Sequence, residues 1–393
     1  MRSVVIVSAA RLAGGSFGGS LKNYSATDMG GLCINGAVKR SGLAPENIGQ
    51  AIIGNGWQAD VGPNPARIAV IKGNLPDSCP AFTVNIRCGS GLRTVQLGVL
   101  SVAAGEEDVV LAGGMESSSN APFYAEGERW GARMGDKRLI DALHRDGFQC
   151  SLAGMKMGAT AELLAEKYNI SREEQDEYSL KSQEKALAAV KNGVFRDEII
   201  PVEVKKKKEI FTFDTDEIPR ETTIEKMAKL PTIFKENGTV TAASSSALCD
   251  SAAMVVLAAE DVAEKKGLEP MARVISYSYV SIDPRYMGLA PIKAIPRALQ
   301  KAGLTLDDMA IIELNEAFAA QVIACDRELN FDKSKLNIYG GAISLGHPVG
   351  ATGAKLLTTL TYALKNQGKK YGLVSLCIGG GQGVAMIIEN ISS

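Results

Sequence analysis

Four side chains sit in surroundings that suit covalent chemistry at a carbonyl. Cys88 stands in NIRCGSG, at a predicted strand end that leads directly into a helix. A helix N-terminus carries partial positive charge and free N–H groups, both of which stabilise a thiolate. A free thiol has a pKa of about 8.5, and such a setting lowers it toward the nucleophilic range. Gly89 and Gly91 let a carbonyl group approach the backbone donors. Cys377 stands in SLCIGGGQG, where Gly379, Gly380 and Gly381 leave N–H groups free to bind an oxyanion. His347, one of two histidines, lies in SLGHPVGATGAK, with glycines on both sides and a helix to follow. Asn315, in ELNEAF, follows a strand. Its amide fits two roles equally: holding a water or orienting His347, or capping a helix.

Any one of these residues is weak alone, because a lone cysteine is most often a small buried hydrophobe. Their positions in the chain strengthen them. Val4–Val7 reads as a buried strand, followed by a helix from about Ala26 to Arg40 capped by Ser25. Ala51–Ile53 is a second strand, Gly89–Ala104 a helix, and Val109–Ala112 a strand covered on both faces. The rhythm implies a mostly parallel sheet with helices on each side, an α/β fold. It then repeats. AVKRSGLAPENIGQAII (37–53) matches ALQKAGLTLDDMAIIEL (298–314), VNIRCGSGLRTV (84–95) matches LNIYGGAISLGH (336–347), and VVLAGG (109–114) matches LVSLCIGGG (373–381). Three matches in one order indicate a duplicated domain. Both cysteines and the histidine then fall at equivalent strand ends, which face a common crevice in such folds.

Residues of about 115–245 break the rhythm and read as a large insertion, where substrate recognition commonly resides. It contains a capping-box helix at SREEQDEYSLKSQEKALAAV (171–190). The run Lys205–Lys208 reads as the solvated face of a hairpin rather than a phosphate site.

The bulk properties exclude several classes. With 393 residues, two or three packed units are expected. A formal net charge of −1 argues against nucleic acid or a membrane surface as the main partner. Seven cysteines without a CxxC pair fit neither a secreted disulfide framework nor a typical zinc site, so a reduced compartment is expected. MRSVVIVSAAR is no secretory signal, and no run of about 18 apolar residues occurs. A soluble, cytoplasmic protein is expected.

Taken together, NIRCGSGLR (85–93), VLAGGMES (110–117), NGTVTA (237–242), LNEAFA (314–319), GGAISLGHPVGATGAK (340–355) and CIGGGQGVA (377–385) resemble the thiolase family nearly end to end. The resemblance implies duplicated α/β domains, each a mostly parallel five-stranded sheet covered by helices. The N-terminal domain would span 1–114, completed by about 246–268. The inserted loop domain would span 115–245 and the C-terminal domain 269–393. It implies reversible acyl transfer between acyl-CoA thioesters, such as two acetyl-CoA to acetoacetyl-CoA and CoA, through an acyl-cysteine. Cys88 would be the nucleophile, His347 its base, and Cys377 the group that moves the α-carbon proton. His347 with a water on Asn315 would form one oxyanion hole. The N–H groups of Cys88 and Gly379 would form the other. Met157, Arg220, Phe234 and Ser246 match coenzyme A contacts, and Phe318 lines the acyl pocket.

The family needs neither a metal nor an organic cofactor. Its members are homo-oligomers, dimers or tetramers, and act in fatty acid metabolism. The chain departs from short-chain members at Lys156, which replaces a histidine in MKMG (155–158), at AASSS (242–246), and at Arg87. AASSS looks more like long-chain β-oxidation relatives, which makes a broader 3-ketoacyl-CoA thiolase the alternative. A ketoacyl synthase would need a second active-site histidine, and His144 in LHRDGF reads as a surface residue. GHPVGATGAK does not match the phosphate-binding loop pattern. An idle acyl-CoA-binding relative would be expected to have lost Cys88, His347 or Cys377.

Overall fold

Apolar, β-branched runs supply the strands of a ten-stranded sheet in the structure, a computed structural model that describes residues 2–206 and 209–392. In chain order they are β1 (Val4–Arg11), β2 (Gln50–Gly54), β3 (Ala81–Val84), β4 (Val109–Glu116), β5 (Cys249–Ala259), β6 (Ala272–Ser281), β7 (Ile311–Leu314), β8 (Tyr371–Ile378) and β9 (Gln382–Asn390). A short tenth strand, Gly15–Ser16, pairs with β5 off the main path. The spatial order is β7-β8-β9-β6-β1-β5-β4-β2-β3.

The duplication is visible in that order. Outward from the centre, one half runs β1-β5-β4-β2-β3 and the other β6-β9-β8-β7. Leu336 then bridges Ile312 in parallel, in the place that β3 takes in the first half. The sheet is mixed. β2 runs parallel to β3 and β4, and β7 parallel to β8, while the strands nearer the centre pair antiparallel. The halves meet through β1 and β6 at two residue pairs, Val5 with Arg273 and Ile6 with Ala272.

Eight helices matter to the site: α1 (Ala26–Ser41), α2 (Pro65–Lys72), α3 (Ser90–Ala104), α4 (Met157–Lys167), α5 (Arg172–Lys191), α6 (Pro291–Ala302), α7 (Ala319–Leu329) and α8 (Thr352–Gln367). Ser25 and Asp28 close a capping box on α1, and Ser171 and Glu174 close the expected one on α5. The corresponding helices α3 and α8 share one apolar core, Leu92, Val95 and Val99 against Leu356, Leu357 and Leu360. They cross at glycines. A Cβ on Gly353 would lie 2.3 Å from the backbone nitrogen of Leu92, and one on Gly91 would lie 2.9 Å from that of Ala354. No other residue permits so close a crossing, and it brings the N-terminal ends of both helices together.

The insertion holds α4, α5, three hairpins and a single π-type turn at Leu143–Phe148. Of the lysine run, Lys205 and Lys206 fall on the hairpin of Val202–Lys206 with Glu209–Phe213. Lys205 is exposed there, whereas Lys207 and Lys208 lie outside the described residues. Among the described residues no helix is long and apolar enough to cross a membrane.

A buried ion cluster fastens the insertion to the sheet. Arg11, at the end of β1, pairs with Glu198 at 2.5 Å and with both oxygens of Asp216 at 2.8 Å, and all three are buried. Asp216 also accepts from Gly14 N, and Glu198 from Thr359 on α8. Removing one partner from such a cluster leaves buried charge uncompensated. Arg11→Met should therefore cost about 3–5 kcal/mol, read as a lowered denaturant midpoint with the slope unchanged.

Candidate active site

Cys88 is not the first residue of a helix but the middle of a 3-10 turn, Arg87–Gly89, between β3 and α3. Of the seven cysteines, all unpaired, it alone keeps some exposure, half-buried where the other six are buried. Its side chain packs on an apolar wall of Trp57, Leu143 and Val349 with Phe148 beside them. The sequence suggests a lowered thiol pKa, and the structure differs. Burial pushes Cys88 up, outweighing the Arg87 charge and the N–H groups of Gly379 and Cys88 that favour the anion.

His347 lies on the loop between the short turn Ala342–Leu345 and α8, its N–H donating to Ala247 O at 2.9 Å. Its ring Nδ1 is 2.7 Å from Thr352 Oγ1, and that hydroxyl donates to Pro348 O at 2.9 Å. The hydroxyl proton is thus committed, so Thr352 Oγ1 accepts from Nδ1–H. The tautomer follows: Nε2 carries the lone pair. Among the described residues Nε2 has no hydrogen-bond partner, though it is buried. Burial, with the Lys355 and Arg87 charges, pushes the imidazole pKa down to about 3. At neutral pH both His347 and Cys88 are therefore uncharged.

Glu116 fixes the histidine loop against the cysteine half. From the end of β4 it accepts hydrogen bonds from Gly350 N (2.7 Å), Gly56 N (2.9 Å), Trp57 N (3.1 Å) and Asn55 Nδ2 (2.8 Å). Burial lifts its carboxyl to about 7 against the pull of those donors.

Cys377 ends β8 and is buried, and burial holds its thiol high, with Cys88 adding to the effect. Asn315 donates its backbone N–H to Ser375 O at 3.0 Å, two residues before Cys377. Both atoms of its side-chain amide are buried without a protein partner among the described residues. The helix that follows, α7, has Phe318 at its N-cap position, so the capping alternative for Asn315 falls away. The next residue, Glu316, anchors the loop through Tyr178, Ser182, Asn337 and Ile343 N.

Met157, Phe234 and Phe318 join Cys377, Val240, Met287 and Ala317 in one apolar cluster. The rings of Phe234 and Phe318 meet edge to face, with centroids 6.1 Å apart. Ser246 reaches this cluster by donating its N–H to Ala317 O, on the same segment that holds His347 through Ala247. Arg220 takes no part in the cluster. Its N–H is held by Gln183 of α5 and its side chain is exposed. Lys156, just ahead of α4, and His144 are exposed too.

Sequence reasoning passes over Thr352, Glu116 and the wall of Trp57, Leu143 and Phe148. For Glu116 a signal exists, since a carboxylate that ends the apolar run VVLAGG is out of place unless it is hydrogen-bonded. Thr352, five residues after His347, carries no helical or strand spacing that would pair them.

A thiol on an apolar wall, an imidazole nitrogen without a partner, a free buried amide and a second thiol near the first make up the candidate site. The chain matches the thiolase N-terminal domain over residues 4–261 and the thiolase C-terminal domain over residues 268–390. It is 46% identical to an acetyl-CoA acetyltransferase of Escherichia coli over 394 residues, covering 100% of both chains. The crystal structure of the Bacillus anthracis acetyl-CoA acetyltransferase superposes with a TM-score of 0.97 at 39% identity, covering 100% of this chain and 99% of that one. Human mitochondrial 3-ketoacyl-CoA thiolase in complex with CoA superposes at 0.96 with 41% identity, covering 100% and 98%.

The buried imidazole has a consequence for stability. Its pKa is about 3 in the folded chain against an ordinary value of 6.5, so below that value the unfolded chain binds the extra proton. Stability from this group is complete above the ordinary value and is lost as pH falls. Between pH 7 and pH 5 the Tm of the wild type should drop more than that of His347→Asn. Equal drops would mean that the imidazole is freely solvated.

Proposed function

The chain belongs to the thiolase family, and on that premise we propose that it moves acyl groups reversibly between coenzyme A thioesters through an acyl-cysteine on Cys88. The reaction assigned to it is condensation of two acetyl-CoA to acetoacetyl-CoA and CoA, or its reverse. The observation that carries this reading is the buried, unpartnered Nε2 of His347, whose tautomer is fixed as a base by Thr352.

His347 Nε2 takes the proton of Cys88, and the thiolate attacks the thioester carbon. The N–H groups of Cys88 and Gly379 stabilise the oxyanion. Coenzyme A leaves as a thiol, with the proton returned by His347. The acyl-enzyme then meets a second acyl-CoA: Cys377 gives its own proton to His347 Nε2, and the thiolate so formed takes the α-carbon proton. A thiol held high by burial is a strong base once ionised, which suits so weak an acid. The enolate oxygen is stabilised by His347 and a water on the free amide of Asn315. The α-carbon attacks the acyl-cysteine, and Cys88 leaves as a thiolate that takes the proton from His347, restoring the resting site. Met157, Phe234 and Phe318 would line the path of pantetheine and acyl chain, with Ser246 and Arg220 toward the mouth. The reading calls for neither a metal nor an organic cofactor.

A cytoplasmic homo-oligomer, a tetramer by preference, is the assembly we assign, with a place in fatty acid metabolism. The hairpin of Phe123–Ala125 and Leu139–Asp141 supports it, because Phe123, Trp130, Met134 and Leu139 are 63%, 88%, 92% and 70% exposed on or beside it. So many large apolar side chains in solvent favour burial by another copy. A preference for longer 3-ketoacyl chains is the second reading. The 41% identity to the human mitochondrial 3-ketoacyl-CoA thiolase, against 39% to the Bacillus anthracis enzyme, favours neither substrate class by itself.

Thiolysis of 3-ketoacyl-CoA substrates of increasing length decides between them. Cleavage of acetoacetyl-CoA alone supports the acetyltransferase reading, a preference for longer chains supports β-oxidation, and no cleavage at any length defeats both. Cys88→Ala should abolish the mass shift left by acetyl-CoA. Cys377→Ala should keep that shift and lose condensation by about 100-fold or more.

A further inference from the structure

One charge beside the reacting sulfur has no part in the steps above. Arg87 immediately precedes Cys88 and adopts a φ of 61°, in the left-handed region that costs a residue with a side chain. Its side chain is only partly exposed. The guanidinium Nη2 donates to Gly147 O in the Leu143–Phe148 turn, and the guanidinium carbon lies 5.9 Å from the ring centroid of Trp57. Trp57 in turn packs with Val349 and Cys88. The cation therefore stands in the wall of the Cys88 pocket. Among the described residues it forms no salt bridge with any carboxylate.

The other charged groups around the pocket are accounted for. Glu116 is occupied by four N–H donors, and its charge opposes ionisation of Cys88. Lys355, on α8, donates to Leu345 O. Cys377 and His347 are uncharged in the resting site. On the turn itself His144, Arg145 and Asp146 are exposed, and Arg145 pairs with Glu126. The Arg87 charge favours the ionised forms of Cys88 and Glu116 and disfavours the imidazolium of His347.

We propose that Arg87 is a positioning residue of the acyl-transfer site: clamped on Gly147 and the face of Trp57, its guanidinium steadies the Cys88 sulfur anion while the proton passes to His347. The proposal rests on Cys88 being the nucleophile. The same charge disfavours the imidazolium, so the proton held on His347 is readily passed to the departing thiol. The strained φ at Arg87 is the local cost of aiming the side chain at this wall.

The test is the pH dependence of Cys88 alkylation by iodoacetamide, followed by the mass of the Cys88 peptide, in the full-length protein. Arg87→Gly suits the backbone conformation and is expected to fold. It should raise the midpoint by about one pH unit and slow alkylation at pH 7.5 about tenfold. Acylation by acetyl-CoA should slow in parallel with little change in KM. Arg87→Lys, which keeps the charge, should hold most of the wild-type midpoint. An unchanged midpoint in Arg87→Gly, or an equal shift in Arg87→Lys, overturns the proposal. Failure of the catalytic reading would look different. Acyl transfer would then survive complete alkylation of Cys88, whatever the midpoint.

Discussion

The crossing of α3 and α8 at Gly91 and Gly353 is the contact on which the rest depends. Backbone meets backbone there, with no space for a Cβ on either side. Each helix begins just after a loop with chemistry on it, Cys88 before α3 and His347 before α8. Because the helices touch at their first turns, the loops are forced into one crevice. Glu116 then reinforces the closure by taking Gly350 N–H from the histidine loop together with three donors from the loop after β2. A substitution at either glycine would push the helices apart where displacement does most harm, since acyl transfer tolerates little misplacement of its groups.

Burial governs the electrostatics of this crevice. It raises both thiols and lowers the imidazole, so the resting site carries no charge on any of the three. Such a site is compatible with a thioester, which is itself uncharged at the reacting carbon. The backbone N–H groups of Gly379 and Cys88 favour the Cys88 anion should it form. Thr352 contributes without touching the reacting atoms, because it decides which ring nitrogen of His347 is the base. The amide of Asn315 is the complementary feature: a buried polar group with no protein partner among the described residues.

Much of this is legible in the sequence, for identifiable reasons. The duplicated strand order can be read because each half repeats a helix, a Gly-Leu turn and a buried strand at matching offsets. The capping boxes at Ser25 and Ser171 are local, and local rules describe them well. Cys88, His347, Cys377 and Asn315 announce themselves through neighbouring glycines and strand ends. The sign of the Cys88 pKa shift is not legible, since it depends on Trp57, Leu143 and Val349, which come from three distant segments. The Arg11 cluster escapes for the same reason: its partners lie 187 and 205 residues away. Long-range burial has no periodicity to betray it.

The narrow seam between β1 and β6 bears on where the site can exist. The halves repeat one strand order, yet they join edge to edge through two residue pairs. One copy carries the cysteine turn and the other the histidine loop, so a half-molecule would own a nucleophile without its base, or the reverse. One repeated unit thus holds two different sets of groups, and the candidate site exists only where the two copies meet.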